Sequence, residues 1–270
     1  MKTLYVSDLD GTLITRYERI SPFSLAVLND LTDRGLLFTY ATARSPASAE
    51  SAVYGLKHSL PVISYNGALI IDLPTQRVLY SSTFSYEQKK SILAELNAFG
   101  VSPIVHGRIG GADKVLCFRG RESAGQLRYL SRRSGRTVEV DSEEGLLDGE
   151  AYFLACNGEY ARMSAIHDRL ERLGIYTLLR PETYQSDYWL EILPPNATKA
   201  KAALRLKSLL SADELVCFGD SANDSELFDV SDRKYAVQNA DEWLKGKATG
   251  VIGYCEEDGV AKFLKETAFR

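Results

Sequence analysis

Two aspartates stand one residue apart in Asp8-Leu9-Asp10-Gly11-Thr12, directly after the strand-like run Leu4–Ser7. Carboxylates at i and i+2 on a strand end repel, and both ionise cheaply only when a cation joins them. Their oxygen-only donor set suits a hard ion such as Mg²⁺. Gly11 permits a sharp exit from the strand and exposes backbone N–H groups that can cradle an anion. The alternative is an acidic turn that only closes a strand. A second cluster, Gly219-Asp220-Ser221-Ala222-Asn223-Asp224, repeats the logic after the apolar run Leu215–Phe218: a glycine, two carboxylates, and a helix start capped by Ser or Asn. Alone it reads equally as an N-cap with acidic first-turn residues. Beside the first pair in a parallel sheet, it completes a cation site.

Two smaller groups could serve the same centre. Thr42-Ala43-Arg44 ends the second strand-like run, so a hydroxyl and backbone amides can face the crevice, although Thr at a helix start is also a common cap. Lys199, in Ala197-Thr198-Lys199, opens a helix. A lysine there opposes the helix dipole and calls for an anionic partner. Its other reading is a solvated lysine.

These groups need elements to hold them. Strand Leu4–Ser7 precedes a helix opened by Ser21-Pro22, with Leu25, Leu28 and Leu31 on one face and Gly35 after its end. Strand Leu36–Ala41, a helix opened by Ser45-Pro46 and strand Pro61–Ser64 follow, the βαβ signature of a parallel sheet. The middle of the chain has another rhythm. After a hairpin across Asp72-Leu73-Pro74, strands come in groups between helices at about Tyr86–Phe99, Glu122–Arg133 and Tyr160–Leu173. The strands expected there are Pro103–Val105, Lys114–Phe118, Thr137–Val140, Tyr152–Cys156, Tyr176–Leu179 and Tyr188–Ile192. That grouping suits an α+β module with an antiparallel sheet. From Thr198 the βα rhythm returns, with strands Glu214–Phe218 and Lys234–Val237 and helices from Thr198, Asn223 and Gly259. A βα domain interrupted by an α+β insertion accounts for both halves.

Composition narrows the function classes. The chain has 270 residues, 45% hydrophobic and 25% charged, enough for a sizeable core and unlike a disordered chain. Lys and Arg number 32 against 36 Asp and Glu, a net charge of -4. Without basic runs such a chain is a poor binder of nucleic acid or of membrane surfaces. The most basic stretch, Arg132–Arg136, reads as a helix end on a solvated face. No apolar run approaches a membrane span of about 20 residues. The N-terminal aspartates stand where a signal peptide would need its apolar stretch. Cys117, Cys156, Cys217 and Cys255 lie far apart and read as small buried hydrophobes in a reducing compartment. His58, His106 and His167 are isolated, which argues against zinc. The expectation is a soluble, cytoplasmic α/β protein.

Taken in order, the motifs resemble those of the haloacid dehalogenase-like hydrolases, and among them the Cof-type branch, which carries a large cap between its second and third motifs. The resemblance spans the chain: DLDGT at Asp8–Thr12, TAR at Thr42–Arg44, SYNGA at Ser64–Ala68, TK at Thr198–Lys199, GDSAND at Gly219–Asp224 and Gln238-Asn239-Ala240. Family members usually have glycine where Ala43 and Ala200 stand, and Met-Gly-Asn-Ala where this chain has Val237-Gln238-Asn239-Ala240. These departures remove glycines near the phosphate rim and bear on substrate clearance rather than on the chemistry.

The resemblance implies an α/β fold, a Rossmann-like doubly wound parallel sheet core at residues 1–81 and 192–270 with an inserted α+β cap at Ser82–Glu191. It implies a phosphatase that hydrolyses small phosphorylated metabolites, sugar phosphates or similar, as a monomer or weak homodimer with Mg²⁺ as cofactor. Asp8 would be the nucleophile that forms an aspartyl-phosphate, and Asp10 the general acid and then base. The Asp8 carboxylate, the Asp10 backbone carbonyl and Asp220 would hold the metal, with Asp224 in support. Thr42 and Lys199 would hold the equatorial phosphate oxygens, Lys199 also orienting Asp8. Leu9, Gly11, Arg44, Asn66, Gly67 and Asn223 would line the phosphate and substrate site, and Arg180, Asp187 and Tyr188 are the candidate cap contacts. Two other readings share this core: a phosphomutase-type phosphotransferase, and a catalytically quiet ligand-binding regulator. The second would be signalled by loss of Asp8, Asp10, Lys199 or Asp220, and all four are present.

Overall fold

A computed structural model describes residues 1–182 and 186–269. The chain forms two compact units, residues 1–81 together with 196 onward, and Ser82–Pro195. In the first unit the chain runs β1 (Thr3–Ser7), α1 (Pro22–Asp33), β2 (Leu37–Tyr40), α2 (Pro46–Ala52), β3 (Val62–Ser64), β4 (Leu69–Asp72) and β5 (Arg77–Ser81). The second unit holds α3 (Tyr86–Ala98), β6 (Ile104–Ile109), β7 (Ala112–Phe118), α4 (Ala124–Ser131), β8 (Thr137–Val140), β9 (Glu150–Gly158), α5 (Tyr160–Arg172), β10 (Tyr176–Pro181) and β11 (Tyr188–Leu193). The chain then returns to the first unit with α6 (Lys199–Leu209), β12 (Glu214–Gly219), α7 (Ser225–Val230), β13 (Arg233–Val237), α8 (Glu242–Lys245), β14 (Gly250–Ile252) and α9 (Gly259–Thr267).

The first unit is built on a five-stranded sheet of order β14-β13-β12-β1-β2 with every pair parallel. An isolated parallel bridge from Ala41 to Ile63 sets β3 beside β2, and β3, β4 and β5 continue as an antiparallel ribbon. Leu4, Val6, Leu215, Val216 and Phe218 are fully buried, as expected for central strands covered on both faces. Helix α1 packs on α9, and α6 on α7. Caps fix where the helices begin: Ser21 and Ser45 accept hydrogen bonds from the backbones of Ser24 and Ser48, each with proline next in the chain, and Thr198 accepts from Lys201. The consequence for function is positional. Strands β2, β1 and β12 are adjacent and parallel, so Thr42, Asp8 and Asp220 leave the same carboxyl edge of one sheet.

The second unit carries a six-stranded mixed sheet of order β10-β11-β9-β6-β7-β8. Ile92, Leu96, Leu154, Cys156, Met163, Ile166 and Leu190 are among the residues that form its core. The architecture is therefore a doubly wound α/β core with an inserted α+β module. Several strand boundaries shift by one or two residues from the sequence reading, and two boundaries shift further. The second crossing falls at Pro195/Asn196 rather than after Glu191, because β11 stays paired to β10 through Leu193. Strand β6 runs on to Ile109 and turns into β7 through Gly110 and Gly111, both at positive φ (58° and 81°). The basic stretch Arg132–Arg136 follows the end of α4 with Arg132, Ser134 and Gly135 exposed, as expected. Two of its arginines are partly packed: Arg133 lies 3.5 Å from the Tyr129 ring centroid and Arg136 pairs with Asp113. All four cysteines are free and buried. Among the described residues, no helix is long and apolar enough to cross a membrane.

Candidate active site

At the end of β1, Asp8 is held from two sides. Its N–H donates to the Phe218 carbonyl (2.9 Å), tying it to β12, and its Oδ1 lies 2.7 Å from Lys199 Nζ. Lys199 also reaches Asp224 Oδ1 at 2.8 Å, and the three side chains are almost wholly buried. The lysine's anionic partner is thus a pair of carboxylates. Both oxygens of Asp224 are engaged: Oδ1 accepts from Lys199, and Oδ2 from the backbone N–H groups of Asp220 (3.0 Å) and Ser221 (3.3 Å). It shapes the loop that presents Asp220. That loop also needs Gly219, since a Cβ there would stand 2.6 Å from Asp224 Oδ2.

Asp220 Oδ1 accepts from the Thr12 hydroxyl at 2.9 Å, so the last residue of DLDGT binds the other acidic motif directly. Gly11 (φ 78°) passes so near Asp220 that a Cβ would meet its Oδ2 at 2.5 Å. The Gly11 carbonyl accepts from Asn239 Nδ2 (2.7 Å), and Asn239 Oδ1 accepts from the Cys255 N–H (3.0 Å). Thr12 and Asn239 are therefore site-building residues whose motifs were legible but whose tasks were not. Gly11, expected to face phosphate, is needed for the closeness of the two acidic loops.

Charge dominates this centre. Burial pushes the Asp8 carboxyl well above the ordinary carboxylate range, partly opposed by the Lys199 charge and reinforced by Asp224, Asp220 and Asp10. Burial and the Asp224 charge raise Asp220 to about 6, against the pull of the Thr12 hydroxyl and Lys199. Burial also favours loss of the Lys199 proton, but Asp224 and Asp8 outweigh it and keep the lysine charged. One ammonium thus serves three carboxylates. Oxygens of Asp8, Asp220 and Asp224 all lie within 4.8 Å of one another. An all-oxygen set short of positive charge fits a hard divalent cation. Asp8 and Asp220 are the principal ligands because only one oxygen of each is engaged, by Lys199 and Thr12, whereas both oxygens of Asp224 are.

A model of the haloacid dehalogenase-like hydrolase family matches residues 5–264, and so takes in every element of this centre. The chain belongs to that family. Among its curated relatives, the 5-amino-6-(5-phospho-D-ribitylamino)uracil phosphatase of Bacillus subtilis is 25% identical over 96% of each chain. An HMP-PP phosphatase of Serratia proteamaculans is 27% identical, covering 98% of this chain and 95% of that one. The crystal structure of a haloacid dehalogenase-like hydrolase from Bacteroides thetaiotaomicron superposes over 100% of both chains with a TM-score of 0.83 at 20% identity, a likeness of fold. The family and branch that the motifs suggested both stand.

The other expected residues of this family member divide. Thr42 is fully buried, and its hydroxyl accepts from the Arg44 N–H (3.1 Å). That leaves its own proton to donate. The Thr42 carbonyl accepts from Asn66 N–H (2.9 Å) and the Arg44 carbonyl from Tyr65 N–H (3.0 Å), so the β2 and β3 loops brace each other. Tyr65, Asn66 and Gly67 are consecutively left-handed (φ 52°, 52° and 98°), a strained run at the site that no sequence pattern announced. Gly67 is needed for packing: a Cβ there would lie 2.2 Å from the Thr198 carbonyl, just ahead of Lys199. Asn66 is buried and its Oδ1 accepts from Asn223 Nδ2 at 3.5 Å, so the two expected rim donors meet each other. Leu9 is wholly buried and its carbonyl accepts from Thr12, Leu13 and Ile14, which gives its side chain to the core. Ala200 is likewise packed inside α6, at 4% exposure, rather than at a rim.

Two placements depart further. The Asp10 carboxylate stands outside the aspartate cluster, with Arg44 rather than a shared cation as its partner. Arg44, expected to face the substrate, grips that carboxylate through Nε and Nη2. Arg180, Asp187 and Tyr188 lie in the second unit and are engaged there. Arg180 pairs with Glu191, the Asp187 carbonyl accepts from Glu182 N–H (2.8 Å), and Tyr188 meets the Tyr160 ring at 4.8 Å.

Proposed function

We propose that this phosphoric monoester hydrolase removes phosphate from a small phosphorylated metabolite through an aspartyl-phosphate on Asp8, with Mg²⁺ as cofactor. The observation that carries the reading is the buried Asp8–Lys199–Asp224 arrangement, which fixes one carboxylate beside a permanent cation at the edge of the sheet. A buried aspartate held by one oxygen to an ammonium is pre-aimed, and orientation of this kind removes much of the entropic barrier. Asp8 would attack phosphorus in line as the bond to the leaving oxygen breaks, and Asp10 would give that oxygen a proton. In the second half Asp10 would take a proton from water as the water oxygen attacks phosphorus, freeing phosphate and restoring the Asp8 carboxylate. Lys199 and Thr42 would bind the equatorial oxygens and stabilise the charge that builds on them. Mg²⁺, held by the carboxylates of Asp8 and Asp220 and the Asp10 carbonyl, would supply the positive charge that lets an anionic nucleophile meet an anionic phosphate.

The insertion at Ser82–Pro195 is the element assigned to cover the substrate and select the leaving group, since the motifs of the reaction all lie outside it. The curated relatives are named as phosphatases of small phosphorylated compounds, which supports that substrate class here. The test is a panel of phosphorylated metabolites with the purified protein, with Mg²⁺ and again with EDTA. Release of phosphate from one or a few members, abolished by EDTA, is the expected result. Metal-independent turnover would remove the cofactor assignment.

A further inference from the structure

Arg44 is gripped by two acids. Its Nε lies 2.8 Å from Asp10 Oδ2 and 3.1 Å from Oδ1, and its Nη2 lies 2.6 Å from Oδ1. The same Nη2 stands 3.4 Å from Glu18 Oε2. The arginine side chain is 16% exposed, while those of Asp10 and Glu18 are 50% and 60% exposed. A rigid fork therefore joins two otherwise solvated carboxylates.

Both ends of this chain of charges are pinned to the backbone. Arg44 sits in the braced β2 loop, its N–H on the Thr42 hydroxyl and its carbonyl on Tyr65 N–H. Glu18 comes from a tight turn in which its own N–H donates to the Thr15 carbonyl (2.8 Å) and Thr15 N–H to the Arg19 carbonyl (3.2 Å). The turn is tied down on either side, by Arg16 N–H to Glu256 Oε1 (2.7 Å) and Ile20 N–H to the Ala52 carbonyl (2.9 Å). Glu18 holds a left-handed backbone (φ 57°), a conformation that favours glycine and asparagine over glutamate. None of these backbone bonds requires a carboxylate at position 18. What the side chain does reach is Arg44.

We propose that Arg44 and Glu18 are positioning residues for Asp10: Arg44 sets the direction of its carboxylate, and Glu18 holds Arg44 while Asp10 loosens one oxygen to reach the leaving group. The proposal rests on the reading of Asp10 as acid and base. An oxygen that takes up the proton for the leaving group loses charge and acceptor capacity toward the guanidinium, so the fork slackens when Asp10 is protonated. Glu18, already at the edge of contact, keeps the arginine charge compensated while it does so. Glu18 could not be singled out from residue type or spacing, because its part depends on the path of a turn.

The test compares phenyl phosphate with 4-nitrophenyl phosphate, which have similar shapes but leaving groups that need a proton to different degrees. Glu18→Gln keeps the size and removes the charge at an exposed site. It should lower kcat/KM for phenyl phosphate about 3-fold more than for 4-nitrophenyl phosphate, the scale of one exposed charge pair. Arg44→Lys keeps the charge and loses the fork, and should widen that gap to roughly 10-fold or more, through kcat rather than KM. Adding Glu18→Gln to Arg44→Lys should widen it no further, since the two act through one chain of contacts. A folded Glu18→Gln protein that loses equally on both substrates, or on neither, overturns the proposal, as does a double variant whose effects simply add. Asp10→Asn in the same assay separates the two levels: if it fails to discriminate the substrates, the reading of Asp10 falls and takes the positioning role with it.

Discussion

Lys199 brings one positive charge to a buried place shared by Asp8 and Asp224, with distances of 2.7 and 2.8 Å. Breaking such an arrangement from one side leaves charges with no partner, at a cost of about 3–5 kcal/mol. Lys199→Met should therefore lose stability on that scale in urea unfolding, and should lose turnover as well. A variant as stable as the parent would show that the two carboxylates are compensated in some other way. The anionic partner of Lys199 was legible because a lysine at a helix N-terminus sits against the dipole. The partner of Arg44 was not. Spacing places a guanidinium near the crevice, but which anion it meets depends on the left-handed turn at Glu18 and on the braced loop at Tyr65 and Asn66.

At the scale of elements, the strand ends carry the site and the close approach of loops sets its dimensions. Gly67 has φ 98° and leaves no room for a Cβ beside the Thr198 carbonyl. Gly67→Ala should destabilise by more than about 1 kcal/mol, because both the backbone conformation and the contact are violated. Gly135 lies in open space with nothing within 4 Å of a Cβ, so Gly135→Ala should stay within about 0.5 kcal/mol of the parent. Equal midpoints for the two variants in denaturant would contradict the packing role of Gly67. The strands that bear motifs were legible from apolar runs bounded by Pro, Gly and Ser. Strand β14 and helix α8, at 3 and 4 residues, are too short for periodicity to register. Strand β6 was read short because His106 and Arg108 interrupt its apolar pattern, although His106 is buried and stacks on Phe153 at 4.1 Å.

For the whole molecule, the excess of carboxylates makes stability depend on pH and metal together. Burial raises Asp8 and Asp220 in the folded protein, Asp220 from 3.8 to about 6. Across that window these two carboxyls bind more protons in the folded state than in the unfolded one, so without metal their contribution to stability falls as pH rises. The buried His106 and the half-buried His58, held below the ordinary imidazole value, contribute in the opposite direction. A divalent ion on the same carboxylates favours their charged form and stabilises the folded state, by about 2.7 kcal/mol at 100 times its dissociation constant. The difference in Tm between Mg²⁺ and EDTA should therefore be small near pH 4 and grow through pH 6, as scanning calorimetry can follow. A difference independent of pH would place the ion elsewhere. The division into a βα core and an α+β insertion was legible from the change of rhythm. The exact return to the core was not, since it depends on where β11 leaves its partners.

In the proposed mechanism Asp8 carries the phosphoryl group. An acyl phosphate is reduced by borohydride to an alcohol, so enzyme quenched during turnover of 4-nitrophenyl phosphate and then reduced records its nucleophile in its mass spectrum. The reduced side chain is expected at position 8, with none in protein quenched without substrate. The same mark at another residue, with Asp8 unchanged, would contradict that mechanism.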